Sequence, residues 1–491
     1  MFNDFFEKVF MLVNYIKKNK TALLIILSIY LLVNINISLA EFPYIDDIGR
    51  QLSGYTGFSQ YFSRYLSEAS SRFIQGGQHL TDSGLTSNLI SAFILSLSSL
   101  IVLYVISPSK RVTPLLAISS TILGLNPWFL EPLSFRFDNP FMSLSVLVCI
   151  IPFIFWKNYK LFIPFSVFGI YLMCNSYQGS SGVYILIATT MILLEIIDKG
   201  KINIRDLICS IFSYIGGMGF YKLQMFIVPP IFGDQGKLPS LIELPSILIS
   251  NSKGYLTNIY VKSYKVWTIL FALIVILLII ELISRVKRNK FKGLLFVCFW
   301  LVFGSIFSYG SYLLLSEPYY LMRPRYGYGF GIFVSIILVI LLGNKSRNKL
   351  FTMLKSIISA TFIFYMISFT FIYVDSLKQQ NNFFQTQSTI LASSLNKYLT
   401  PENKVVNMNR FIANSPIYDN TSSVYPMISS LIMPNSNISW DMTMRFNSIT
   451  KLDVEIKPFD ESKLDDEYQQ LETTKLFDIY LKDKELFVVM K

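Results

Sequence analysis

The feature that most constrains this chain is the recurrence of apolar runs about as long as a bilayer is thick. A helix needs roughly 20 mostly apolar residues to cross the hydrocarbon, since each residue advances it by about 1.5 Å. Such runs fall at 21–40, 88–106, 113–130, 140–156, 161–177, 180–197, 206–229, 266–284, 293–315, 330–343 and 351–374. They predict a mainly α fold, a polytopic transmembrane helix bundle of about eleven spans. The interruption at Asn175–Gly182 reads as a tight turn or a re-entrant loop, so about nine to eleven full crossings fit the pattern. Charged residues make up only 15% of the 491, against roughly a quarter in soluble domains, which argues against a set of soluble domains.

Lys and Arg set the orientation, because short cytoplasmic loops carry their excess. The segments expected inside hold Lys17, Lys18 and Lys20; Lys110 and Arg111; Lys157 and Lys160; and Lys199, Lys201 and Arg205. Arg285, Lys287, Arg288, Lys290 and Lys292 follow, then Lys345, Arg347 and Lys349. Every second loop is basic, so Met1 is expected inside and Lys491 outside. Ser38-Leu39-Ala40 has the small residues of a signal cleavage site, but the first run is longer than the usual h-region of roughly 7–15 residues. An uncleaved first helix is the expectation. The net charge of +12 is no nucleic-acid footprint, because residues 375–491 hold 12 Lys/Arg against 15 Asp/Glu and the excess sits in the short inside loops. No nucleic-acid partner is expected.

The chain therefore divides into a membrane domain, 1–374, and an extramembrane α/β domain, 375–491. The membrane domain has outside loops at 41–87, 231–265 and 316–329. In the first loop Tyr61, Phe62, Tyr65 and Phe73 recur at near-helical spacing around Arg64, Glu68 and Arg72, which suits amphipathic helices on a membrane surface. The second ends in Tyr255, Tyr260 and Tyr264, an interface signature. In the tail, Lys404–Phe411 and Leu452–Ile456 read as strands, and Leu476–Leu481 with Glu485–Met490 as a closing hairpin. One His and four Cys exclude a His-based metal centre and a disulfide framework. His79 reads as a solvated surface residue, and Cys149, Cys174, Cys209 and Cys298, all in apolar runs, as buried thiols.

Ionisable residues at the outer ends of the spans are the functional suspects, since charge near membrane depth is expensive. Asp46, Asp47 and Arg50 follow the first span. Glu131, Arg136 and Asp138 share one loop, Tyr177-Gln178 closes the fifth span, and Glu317, Arg323 and Arg325 share another loop. A carboxylate can take the proton of an attacking hydroxyl. Arginine can bind a phosphate bidentately and stabilise its charge as it leaves. A lipid-phosphate-linked sugar donor demands that pair of capacities. The ordinary readings are an i,i+3 salt bridge for Asp47–Arg50, a loop-internal pair for Arg136–Asp138, and pairing of Arg323 or Arg325 with Glu317 or bulk anionic lipid. Arg323 and Arg325 run against the positive-inside rule. Asp46 and Asp47 also form a pair able to hold a divalent cation.

In their order these features resemble the serotype-converting O-antigen glucosyltransferases, the Gtr type II family of bacterial inner membranes. The resemblance covers the whole chain: the Asp-Asp pair with Arg50 beyond the first span, Arg136-Phe137-Asp138-Asn139-Pro140 opening a span, Tyr177-Gln178, a late arginine loop and an extramembrane tail. It implies a GT-C-like integral membrane enzyme with its amino terminus in the cytoplasm and its tail domain in the periplasm. Such an enzyme takes glucose from undecaprenyl phosphate glucose and adds it to a lipid-linked O-antigen or other surface polysaccharide. It also implies a donor-synthesising glycosyltransferase and a donor flippase in the same pathway. The resemblance maps the catalytic Asp onto Asp46 or Asp47; Arg323, Arg325 and Arg50 are the expected donor-phosphate ligands, and Arg136, Asp138, Tyr177, Gln178 and Glu317 supporting or substrate residues. The other classes that fit are a flippase of lipid-linked saccharides and an O-antigen polymerase or ligase.

Overall fold

The computed structural model describes residues 2–107, 111–232, 236–287, 289–344, 346, 348–401 and 403–491. Lys110, Arg288, Lys345 and Arg347 of the expected basic loops, and Met1, lie outside the described residues. The chain divides into two compact units, one of Met1–Ser38 with Tyr55–Phe371 and one of Leu39–Gly54 with Ile372–Lys491.

The first unit is helical. Seven helices among the described residues are long and apolar enough to cross a membrane: Lys20–Leu39, Leu85–Ile106, Gln178–Lys199, Lys265–Arg285, Lys290–Phe307, Pro324–Gly343 and Lys349–Leu395. The runs expected at 113–130 and 140–156 form shorter apolar helices, Pro114–Leu123 and Asn139–Phe155. The first stops because Pro127 disfavours helical backbone at Asn126. Its freed carbonyls still need partners in a dry interior. Asn126 supplies them, donating to Ile122 O at 3.1 Å and Leu123 O at 3.0 Å, while the Tyr30 hydroxyl donates to Thr121 O at 3.0 Å. Gly124 is needed there, since a Cβ would come within 2.9 Å of the Tyr30 ring.

A buried ion pair marks the other end of the Pro324–Gly343 helix. Lys355 donates to Glu281 at 3.1 Å and to the carbonyls of Leu341 and Asn344 at 2.8 and 2.7 Å. All three ammonium protons have acceptors, which offsets the cost of burying the charge. Two expectations change. Of the cysteines, Cys149 and Cys174 are buried, but Cys209 is half-buried and Cys298 exposed, because an apolar helix in a membrane hides from water without being covered by protein. The loop at 231–265 contains a 19-residue helix, Leu244–Lys262, and its Tyr255 is buried against Tyr309, with ring centroids 4.4 Å apart, and is no interface anchor.

The second unit carries a five-stranded sheet in the order β2-β1-β5-β4-β3. The strands are β1 (Val405–Met408), β2 (Glu455–Pro458), β3 (Gln469–Thr473), β4 (Phe477–Lys482) and β5 (Glu485–Met490). β1 runs parallel to β2 and β5, and β4–β5 is the expected hairpin. Its turn residues Asp483 and Lys484 both have positive φ, as a two-residue turn with the twist of the strands requires. Alternate residues (Leu486, Val488 and Met490) enter a core with Phe384, Phe411 and Phe446. The helix Trp440–Thr450 covers the short helix Asp46–Ser53 that follows the first span.

Candidate functional site: two polar centres

The suspect residues gather in two centres, one in each unit. In the first unit Glu131 is the hub. It is fully buried, yet it comes from a short helix, Leu130–Ser134, remote in sequence from the arginines it binds. Arg323 Nε donates to Glu131 Oε1 at 2.7 Å, the backbone N–H of Arg325 donates to Oε2 at 2.8 Å, and Arg325 Nη1 stands 3.6 Å from Oε1. The local chain explains the pose. Arg323 precedes Pro324, which holds it extended at φ −150°, and Pro324–Gly327 then forms a single 3-10 turn. Gly327 packs where a Cβ would meet the Trp128 ring at 2.8 Å, and Gly329 where one would meet Ser308 O at 2.0 Å. The two glycines therefore serve close helix approach.

Tyrosines surround this hub. Tyr312, Tyr319 and Tyr326 lie with mutual ring centroids 5.0–5.3 Å apart. The Arg325 guanidinium sits 5.1 Å from the Phe135 ring and 5.6 Å from Tyr326. Tyr177 is buried and stacks near Tyr328, whose hydroxyl pairs with Ser180 at 2.6 Å. Arg64 joins from the first outer loop. Its Nε donates to Gln178 Oε1 at 3.3 Å, and its guanidinium lies 5.2 Å from the Tyr177 ring and 5.1 Å from Phe62. The other amide hand of Gln178 donates to Tyr221 at 2.8 Å. Close by, Glu68 accepts from Thr56 at 2.6 Å and pairs with Arg72 at 3.1 Å. Burial alone would raise the Glu68 carboxyl, but the hydrogen bonds from Thr56, Ser59 and Arg72 outweigh it and hold the group below the usual carboxylate range.

Three further suspects belong to this unit. Arg136 pairs with Asp82 at 2.7 Å and reaches Ser38 O at 3.5 Å. Asp138 is buried at the N-cap of the helix Asn139–Ile150. Glu317 is exposed, and Glu131 takes the partnership with Arg323 and Arg325 that the ordinary reading gave to Glu317.

In the second unit Asp46 and Asp47 open the helix Asp46–Ser53, with Arg50 one turn on and Gly54 closing it in the left-handed region. Asp47 is fully buried and Asp46 half-buried. Asp47 Oδ2 accepts the backbone N–H of Tyr44 at 2.9 Å, which ties the turn that precedes the helix. That segment is strained: Glu41 and the β-branched Ile45 have φ of 50° and 45°. The tail supplies what holds it. Asn381 donates to Ala40 O at 3.0 Å and Glu41 O at 3.2 Å, and itself accepts from Arg445. The Arg445 guanidinium is sandwiched between Phe384, at 4.1 Å, and Phe42, at 4.7 Å, and the Tyr44 hydroxyl donates to Leu431 O. Sequence reasoning missed Arg64, Arg445 and the hub role of Glu131. An outside arginine among aromatics was the available signal for Arg64; Arg445 had none.

Chemically, the first centre sets Arg323 and Arg325 on the buried Glu131, with Arg64 held by Gln178 and Tyr177. The second offers two carboxylates of unequal exposure beside a helix start. Comparison with known proteins follows from the chain as a whole. A family profile described as glucosyl transferase GtrII matches residues 35–336. The chain is also 24% identical over 221 residues to an "Uncharacterized 55.3 kDa protein in gtrB 5'region" of Salmonella phage P22, covering 44% of each chain. The alignment thus spans less than half the length of that relative. No solved structure matches.

Proposed function

The chain belongs to the GtrII glucosyl transferase family, and from that premise we propose that it moves glucose from a polyprenyl-phosphate-linked donor, undecaprenyl phosphate glucose, to a lipid-linked O-antigen or similar surface polysaccharide. The reaction runs at the periplasmic face of the bacterial inner membrane, with about eleven spans, the amino terminus inside and the tail domain outside. The observation that carries this reading is the arginine loop gathered on Glu131. Arg323 and Arg325 keep side-chain exposures of 20% and 18%, beside tyrosines suited to headgroup depth.

The step is a displacement at the anomeric carbon. An acceptor hydroxyl attacks, the new glycosidic C–O bond forms, and the C–O bond to the donor phosphate breaks. The hydroxyl proton passes to Asp46, the more accessible of the pair, while Asp47 holds the turn. The departing polyprenyl phosphate carries the charge to Arg323 and Arg325, whose forks match its oxygens. No metal is part of this scheme. Membranes containing the protein, incubated with labelled undecaprenyl phosphate glucose and a lipid-linked saccharide, should move label to saccharide. Label that moves only from a lipid diphosphate saccharide assigns a polymerase or ligase. Intact donor that merely changes leaflet assigns a flippase.

A further inference from the structure

The first centre opens beside an apolar cleft. The helices Tyr159–Ser176 and Ile204–Ile227 touch closely at Gly217, where a Cβ would come within 2.6 Å of Ile170. Larger residues line a cleft of about 620 Å³ between the same helices: Val167, Phe168, Tyr171, Phe220, Leu223 and Ile227. That volume lies within the roughly 300–1,000 Å³ of ligand clefts. Phe168, Phe220, Leu223 and Ile227 are more than half exposed, so the cleft is open along its side. In a membrane it faces hydrocarbon.

The cleft has a built polar end. Gln224, one of its lining residues, accepts from Tyr171 at 2.5 Å and donates to Asn175 at 3.0 Å and Ser63 Oγ at 3.0 Å. Arg64 is the next residue, stacked on Tyr177 as described. Tyr177 is only 3% exposed, and its hydroxyl has no hydrogen-bond partner among the described residues. The Arg64 guanidinium lies over the Tyr177 ring, 5.2 Å from its centroid. A buried, unbonded hydroxyl is costly, and a ligand oxygen would recover that cost. The Arg64 charge beside that hydroxyl selects an anion.

We infer that Arg64 and the Tyr177 hydroxyl form the seat of the lipid phosphate that the transferase reading also brings to Arg325, and that its isoprenoid chain lies in the cleft between Tyr159–Ser176 and Ile204–Ile227. Gln178 holds Arg64, and Arg64 orients the phosphate; the cleft selects an apolar chain attached to it. The inference rests on the transferase reading for the identity of that lipid and adds where it binds. An ordinary acyl chain would fill the same cleft without using Arg64, and free phosphate would use Arg64 without the cleft.

A photoreactive polyprenyl phosphate, carrying a diazirine in its isoprenoid chain, distinguishes these in membranes containing the full chain. Cross-linked peptides should map to 164–171 and 220–228. Undecaprenyl phosphate should compete, while phosphatidylglycerol, undecaprenol and inorganic phosphate should compete at least about tenfold more weakly, the scale of one charge-assisted hydrogen bond. Arg64→Gln should erase the preference for undecaprenyl phosphate over undecaprenol and keep the labelling by the chain; Tyr177→Phe should reduce it by several-fold. Retained labelling shows that each variant is folded, and Arg64→Lys gives a second, milder variant. Competition by phosphatidylglycerol equal to that of undecaprenyl phosphate, labelling elsewhere, or an Arg64→Gln protein with wild-type preference overturns the inference. If wild type labels as expected but transfers no glucose, the transferase reading falls and the lipid-phosphate seat stands. If it transfers glucose and labels elsewhere, the seat alone falls.

Discussion

Arg325 in the first unit and Arg445 in the second are both flanked by aromatic rings, yet their surroundings give them different capacities. Arg325 has its backbone fixed by Glu131 and a side chain still partly exposed, between Phe135 and Tyr326. Arg445 is buried, clasped by Phe384 and Phe42, and it gives a donor to Asn381, which in turn holds Ala40 and Glu41. A guanidinium that keeps part of its surface exposed can meet a ligand; one buried between rings acts as a strut. The carboxylates differ in the same way. Glu131 is consumed as an anchor for arginines, whereas Asp46 stands half-buried at the start of a helix. The comparison teaches that the exposure of the charged group, more than its type, separates ligand contact from scaffolding.

The sharpest way to break this division is Asp46→Asn. Transfer from undecaprenyl phosphate glucose should fall about 10²–10⁴-fold, the usual loss of a general base, with protein abundance unchanged. Near-normal turnover in Asp46→Asn, with loss in Asp47→Asn, would exchange their roles. Arg445→Ala comes next. Removing the strut should destabilise the second unit by about 2–4 kcal/mol, as for other large-to-small core changes, read as a lower thermal midpoint by tail-domain fluorescence. Lysine should not restore it, because an ammonium has no planar faces to stack. An Arg445→Ala protein with wild-type melting and reduced donor binding would move Arg445 into the ligand-binding class.

Arg325→Lys should act in the opposite manner. Turnover at limiting donor should fall about tenfold, while the melting transition stays put, since charge survives but the fork is lost. The smallest expected effect is at Glu68. Its carboxyl is held below the usual range by Thr56, Ser59 and Arg72, so its stabilisation is present above the ordinary carboxylate pKa and is lost as pH falls through the lowered value. Amide protection factors at 56–72, corrected for the intrinsic pH dependence of exchange, should therefore fall in acid and stay constant near neutrality. Protection lost between pH 7 and 6 would assign the transition to another group.

Some of this was legible because it is local. Apolar runs of bilayer length announce helices wherever they occur, and Lys482-Asp483-Lys484 between two alternating segments announces a hairpin. The suspects at the outer ends of the spans were legible for the same reason, since charge beside hydrocarbon is visible in one dimension. Their partners were not. Nothing near Arg323 points to Glu131, and the neighbouring Glu317 was the nearer carboxylate in sequence but faces solvent. The run expected at 113–130 passes through Pro127, and the Tyr30 and Asn126 hydrogen bonds that let the chain stop inside an apolar interior left no mark in the sequence.

By itself, then, the sequence determined what each segment is: a helix from its apolar length, a strand from its alternation, a turn from its breakers, because those follow from neighbours a few residues apart. Only the tertiary structure decided which segments share a core and which charges meet. It grouped Leu39–Gly54 with Ile372–Lys491 and seated Arg445 against Phe42. It also joined Glu131 to Arg323 and Arg64 to Tyr177. Such pairings depend on burial and directional bonding between distant parts of the chain, and no periodicity along the chain records them.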